Sequence, residues 1–281
     1  PQQPQSPQQE AEKKLQSAIE RMKEAQKELE ESKREEATDR QRDAEKNLRE
    51  AIDQLEKILR QLREEEMQRE LARLEGRLRK MAQMQSKVLD QTRELAAVPV
   101  DSRDRQTDLH AGNLAGEEKK IVLEADRAML LLREEGSSVA FPEVLQQIRG
   151  DVRTVADRLS QTKIDGITQG IQEDILAALE EMIAALQKAQ RDLEEQRKQE
   201  QMPPQQQGEP GAQPLVESLA ELKLIRTMQE RIKGTTDRYS EMIEQKDQSV
   251  DQDFLGLLQN LADRQSRLST ITRDIALERN R

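Results

Sequence analysis

Large aliphatic residues recur at three- and four-residue spacing from Ala44 to Ala97: Leu48, Ile52, Leu55, Leu59 and Leu62, then Met67, Leu71, Leu74, Leu78, Met81, Val88 and Leu95. The stretch has no proline and a single glycine, Gly76. This period marks a long helix with one apolar seam. At 1.5 Å per residue it would be roughly 80 Å long, too long for burial in one compact domain, so other helices must lie along it. Between Leu62 and Leu71 the seam changes phase toward an eleven-residue step filled by Met67. A seam that drifts changes neighbours, and a change of bundle is expected near Met67.

The N-terminal side adds a second stripe. Residues 1–9 (PQQPQSPQQ) are a Pro/Gln tether that can bury nothing. From Glu10 on, Leu15, Ala18, Ile19, Met22, Ala25 and Leu29 form one face, which thins to Ala37 and Ala44 between Lys33 and Lys46. Two arrangements fit residues 10–97: one continuous helix, or a helical hairpin turning near Glu35–Thr38. Thr38 followed by Gln41 matches a capping box, and a hairpin lets the two half-seams bury each other, so the hairpin is preferred.

Val98-Pro99-Val100 ends the long helix, because the residue before a proline is pushed out of the α region. Asp101 or Ser102 is the expected cap of the next helix, with Leu109, Leu114, Ile121, Ala125, Met129 and Leu132 inward as far as Glu135. Gly136 is expected to stop it and 137–140 to form a loop. Phe141-Pro142 opens another helix, with Pro142 at its start and Phe141 closing the bundle end. Val144, Leu145, Ile148, Val152, Val155 and Leu159 face inward along it. A break at Thr162–Gly166, capped by Asp165, leads to a helix carrying Ile167, Ile171, Ile175, Leu179, Met182, Ile183, Leu186 and Leu193. Short connections make these neighbours antiparallel.

Residues 202–214 (MPPQQQGEPGAQP) read as a linker. A C-terminal hairpin follows. Its first helix is striped by Leu215, Leu219, Leu222, Ile225, Met228, Ile232 and Met242. Past a polar turn at 245–251, its second is striped by Phe254, Leu257, Leu258, Leu261, Leu268, Ile271 and Ile275. Such a hairpin buries each stripe on one side only, so it either docks on the bundle or meets another chain.

The expected fold is therefore all-α: an elongated antiparallel helical bundle, coiled-coil-like and built on one long helix, with a C-terminal helical hairpin. Its parts are a tether over 1–9, a hairpin or coiled-coil segment over 10–66, a three- to four-helix bundle over 67–201, the linker 202–214, and the hairpin 215–281.

Composition supports a thin core. Charged residues make up 36% of the 281, and aromatics 1%, namely Phe141, Phe254 and Tyr239. A mean hydropathy of −0.95 suits disorder, but the sustained stripes argue against that outside the termini and linker. The net charge of −10 disfavours general phosphate-backbone binding, so no nucleic-acid partner is expected. The basic ridge Arg69, Arg73, Arg77 and Lys80, interleaved with acids and free of aromatics, reads as a solvated face. With no cysteine there is no disulfide, thiol nucleophile or zinc finger. The longest apolar runs, such as Ala128–Leu132, are far shorter than a membrane span.

Candidate chemistry is sparse. The one histidine, His110, sits beside Gly112 and Gly116 and cannot build a paired-histidine metal site. Lys233-Gly234-Thr235-Thr236 is no phosphate loop, and Gly166/Gly170 lack a dinucleotide-fold context and suit a close helix contact instead. No catalytic, cofactor or metal residue is nominated, no cofactor is expected, and the chain is read as no enzyme.

Leu59–Glu66 (LRQLREEE), Val139–Glu143 (VAFPE) with the Ile171–Leu186 helix, and Leu219–Lys223 (LAELK) after a Gln/Pro-rich linker together resemble an uncharacterised bacterial family of helical, Gln/Pro-linked proteins. The resemblance spans about residues 48–275 and implies no activity and no functional residues. It implies a bacterial source and a lean toward the cell envelope, with any targeting segment missing from this chain, which begins at Pro1.

The expected role is a structural scaffold that self-associates as a homo-oligomer or binds another protein through apolar seams. Leu219, Leu222, Leu261 and Leu268 are the candidate interface residues. The alternative is a client-holding, chaperone-like binder using methionines Met81, Met84, Met182 and Met228. A nucleic-acid-associated coiled coil ranks third.

Overall fold

A computed structural model describes residues 7–31, 33–135, 140–200, 218–245 and 252–277. Residues 1–6 of the expected tether, 137–139 of the expected loop with Gly136, the linker 202–214 and residues 246–251 of the expected turn lie outside the described residues, whereas residues 7–9 of that tether, Ala140 and Gln245 are helical. Within them the protein is an all-α helical bundle. Its helices are α1 (Pro7–Glu30), α2 (Arg34–Ala96), α3 (Arg105–Glu135), α4 (Ala140–Ser160), α5 (Gly166–Glu200), α6 (Ser218–Gln245) and α7 (Gln252–Ala276), with one 3-10 turn at Val100–Ser102. The chain divides into two compact units, Pro1–Arg69 and Glu70–Arg281. The division falls where the aliphatic seam changes phase.

The first unit pairs α1 with the start of α2. The turn comes earlier in the chain than Glu35–Thr38. The Lys33 amide donates 2.8 Å back to the Glu28 carbonyl to close α1, and α2 is helical from Arg34. Thr38 is no cap: its hydroxyl donates to the Arg34 carbonyl at 2.9 Å, one turn back inside the helix. A hydroxyl in a helix interior finds that carbonyl before any free amide.

The second unit packs the rest of α2 with α3–α7. Pro99 ends α2 as expected. Asp104 caps α3, however, its carboxylate accepting from the amides of Gln106 (2.9 Å) and Thr107 (3.1 Å). Asp101 and Ser102 are held in the intervening 3-10 turn. Leu114, Ile121, Ala125, Met129 and Leu132 are buried on α3, whereas Leu109 is exposed. Phe141 and the predicted α4 stripe are fully or almost fully buried. Pro142 lies in the first turn of α4, which begins at Ala140.

Between α4 and α5 the left-handed position is taken by Thr162 (φ 57°), with Lys163 N–H donating to the Arg158 carbonyl at 2.9 Å and Thr162 N–H to the Leu159 carbonyl at 2.9 Å. This double bond pattern closes a helix, and it usually carries glycine. Here the Thr162 hydroxyl donates to Asp108 on α3 at 2.8 Å, which helps hold the unusual conformation. Asp165 caps α5 through the Thr168 amide at 3.0 Å and accepts two 2.9 Å bonds from the almost fully buried Arg158. Burial pushes the Asp165 carboxyl up, but the Thr168 amide and the Arg158 charge outweigh it and leave the group below its usual value.

The C-terminal hairpin docks on the bundle. Arg264 of α7 forms a forked ion pair with Asp151 of α4, Arg231 of α6 pairs with Glu181 of α5, and Arg238 of α6 pairs with Asp174 of α5. An added Cβ at Gly170 would lie 3.1 Å from the Arg238 guanidinium, so this glycine does admit a close neighbour. Nothing comes comparably near Gly112, Gly116 or Gly166. Between the two helices Tyr239 and Phe254 stack edgewise, their centroids 5.3 Å apart.

Candidate interaction surface

The first unit buries its small residues and exposes its large ones. Ala11, Ala18 and Ala25 on α1 and Ala37, Ala44 and Ala51 on α2 are the buried apolar residues of this hairpin, none more than 3% exposed. They recur every seven residues on each helix. Side chains this short let two helices approach toward the lower end of the usual ~8–10 Å separation. The large aliphatics, read from spacing as the inward face, lie beside that seam. Leu15, Ile19, Met22 and Leu29 on α1 and Ile52, Leu55, Leu59 and Leu62 on α2 are 38–54% exposed.

Helical geometry explains the sidedness. These residues sit four or one positions after an alanine of that repeat or, for Leu59 and Leu62, after Ile58, which continues it, roughly 40° and 100° round the helix to the same side. In an antiparallel pair these sides coincide and form one face. The other face is polar and tied together. Lys14 pairs with Glu50, Asn47 donates to the Ser17 hydroxyl at 3.3 Å, and Arg40 lies 3.4 Å from both Glu24 and Glu28. One face of the hairpin is thus closed by ion pairs and the other is open and greasy.

The residues expected to form an interface are distributed differently. Leu261 and Leu268 are buried, at 8% and 2% exposure, so both serve packing within the chain. Leu222 is 45% exposed on α6. Leu219 lies in α6, and its side chain is outside the described set. Of the four methionines offered as adaptable contacts, Met81, Met182 and Met228 are core residues and Met84 is half-buried. Three of the four are thus packed inside the chain.

Two further polar features belong to the second unit. Glu118 on α3 is fully buried in a layer with Gln85 and Thr92 of α2 and Gln172 of α5. Its Oε1 accepts from Gln85 at 2.9 Å and from Gln172 at 3.0 Å, and Gln172 also donates to Thr92 at 3.2 Å. Burial pushes the Glu118 carboxyl up to about 7 against those two stabilising amides. Glu118 Oε2, Gln85 Oε1 and Gln172 Oε1 find no donor among the protein groups. The layer joins three helices through hydrogen bonds.

The second feature is a basic groove of about 460 Å³, where Arg77, Lys80 and Arg127 converge on Glu124. Lys80 first, and the neighbouring arginines with it, hold the Glu124 carboxyl below its usual value against burial. Three cations are thus engaged by one carboxylate, while Arg73 and Arg69 pair with Glu70 and Glu65 on their own helix. The ridge is internally compensated, as a solvated face should be.

His110 is exposed and lines an open cleft of about 530 Å³ with Lys87, Glu94 and Glu117. Among the described residues no group of three or more His, Cys, Asp and Glu could hold a metal ion, and no helix is long and apolar enough to cross a membrane. No family model, curated protein or solved structure matches the chain.

One signal for the open face was present in the sequence. The alanines at 11, 18, 25 and at 37, 44, 51 keep a strict seven-residue repeat, while the aliphatics beside them keep one on a neighbouring line. Size alone favoured the wrong line.

Proposed function

We propose that the protein is a non-enzymatic helical scaffold whose N-terminal hairpin is its association surface. The observation that carries this is the open apolar face between Leu15 and Leu62, set against a back face closed by interhelical ion pairs. Eight large aliphatic side chains at about half exposure leave roughly 700 Å² of apolar surface on one side of a two-helix element, more than the ~300–600 Å² largest patch of an ordinary monomer. Leaving that much hydrocarbon in water is unfavourable, and association removes it.

The same hairpin holds itself together without those residues, through the alanine seam and the ionic face. Replacing Ile19 and Leu59 together by glutamate tests the reading. Helix content by circular dichroism is expected to stay at the wild-type level, while association, read as solution mass and as binding of an apolar dye, is lost. Unchanged mass and dye binding would refute it. Replacing Leu261 or Leu268 is instead expected to loosen the second unit, because both are packed inside it.

A further inference from the structure

We infer that the occupant of the open face is the same face of a second copy of this chain, giving a two-fold four-helix bundle. This rests on the scaffold reading above and goes beyond it by naming the partner. The register of the hairpin is set by the Lys14–Glu50 pair and the Ser17–Asn47 bond, which place Leu15 level with Leu48. The apolar stripe therefore runs from Leu29, near the turn, down α1 to Leu15. There it crosses to α2 at Leu48 and continues on α2 to Leu62. The two runs are equal in length. Beside the α1 run, the same side of α2 carries Thr38, Gln41 and Glu45.

A single straight helix laid on this face covers one run and leaves the other open. A partner that covers both must itself change helix midway, and a second hairpin does so. With a two-fold axis at the Leu15/Leu48 crossing, each layer of the core receives large side chains from one helix of each copy, on the diagonal. An interface about a two-fold axis must be self-complementary in this way.

Area and charge agree with that occupant. Roughly 700 Å² per copy approaches the ~800 Å² that each partner contributes to a stable interface. Residues 10–62 carry 13 Lys and Arg against 15 Asp and Glu, a net −2, although the whole chain is −10. The charge that would drive two copies apart lies mostly elsewhere. Because the face holds the large aliphatics and the ion pairs hold the back, the dimer should persist at high salt.

The chain has no cysteine, so one introduced thiol reports unambiguously. In the full-length protein, Leu15→Cys, at the axis, is expected to form a disulfide-linked dimer under mild oxidation. Asp43→Cys, on the back face, is expected to stay monomeric on a denaturing gel. By light scattering the wild-type protein should have near twice the 32.4 kDa chain mass in low and high salt. Ile19→Glu with Leu59→Glu should raise the dissociation constant by at least about a hundredfold, since it buries unpaired charge. Cross-linking at Leu15 without cross-linking at Asp43, together with the doubled mass, supports the inference.

A wild-type monomer whose dye binding is abolished by the Ile19/Leu59 double variant would overturn the second copy as occupant while leaving the scaffold reading standing. A monomer with no such dye binding would overturn both. Equal cross-linking at the two positions would show collision rather than a defined interface and would also overturn the inference.

Discussion

The two units place the same residue types in opposite positions. In the second unit Leu71, Leu78, Ile121, Leu145, Leu179 and Met182 are fully buried, and buried alanines such as Ala111, Ala125 and Ala178 fill gaps between them. In the first unit the alanines are the core and leucine, isoleucine and methionine are outside. The physical difference is the number of neighbours. With only two helices, each has one line of contact, and the closest approach comes when that line is made of the smallest side chains. Where several helices surround a space, as among α2–α5, the space is wide and only large side chains fill it to native density. The large aliphatics beside the alanine seam of the first unit are therefore available for association, whereas those lining the wide space of the second are committed to folding, and its exposed ones, such as Leu109, Leu123, Leu130 and Leu222, lie outside that space.

The sharpest way to break this comparison is one substitution made in both units. Leu179→Ala is expected to cost about 2–5 kcal/mol of the second unit's stability, from lost burial and a residual cavity. Leu59→Ala at high dilution is expected to stay within about 0.5 kcal/mol for the first unit, because the side chain is already half in water. Regional amide hydrogen exchange in urea reads both. Comparable losses would mean that the open face is closed within the chain.

The next largest effect concerns polarity in the core. Glu118 has its carboxyl raised to about 7, against an ordinary carboxylate value in the unfolded chain. Below about pH 4.5 it is protonated in both states and costs nothing. From there to about pH 7 the unfolded chain loses its proton while the folded one keeps it, so stability falls as pH rises. Above pH 7 the full penalty applies, about 3 kcal/mol at 1.36 kcal/mol per pH unit. Glu118→Gln is expected to remove this fall, raising stability at pH 8 relative to pH 4.5 by that order. Urea titrations of both proteins across this range would show it, and parallel pH profiles would contradict it.

The smallest effect probes the alanine seam. Ala18→Leu forces a larger side chain into the closest contact of the hairpin, fully buried at present, and is expected to cost about 1–3 kcal/mol by overpacking. Amide protection across α1 should fall accordingly, with protection in α3–α5 unchanged. If Ala18→Leu instead stabilised α1, the alanines would not be the line of contact.

Much of the architecture was legible from the chain alone. Helix type and extent follow from the three- and four-residue spacing, the stop at Pro99, and the break ahead of Gly166 capped by Asp165. What was misread depended on a competitor visible only in three dimensions. Asp101, Ser102 and Asp104 are all acceptable caps by chemistry, and the 3-10 turn after Pro99 decided for Asp104. Thr38 matched a capping box, but α2 had already begun at Arg34. Leu109 fits the α3 stripe by period yet lies near the helix start with no neighbour over it.

The open face is the clearest case. Sequence by itself determined that residues 10–62 are helical and amphipathic, with one helix or a hairpin left open, and it carries two parallel seven-residue lines, one of alanine and one of large aliphatics. Which line became the seam was a tertiary decision. In this hairpin the alanine lines meet, and their short side chains let the two helices approach closely. The aliphatics were thereby left facing outward.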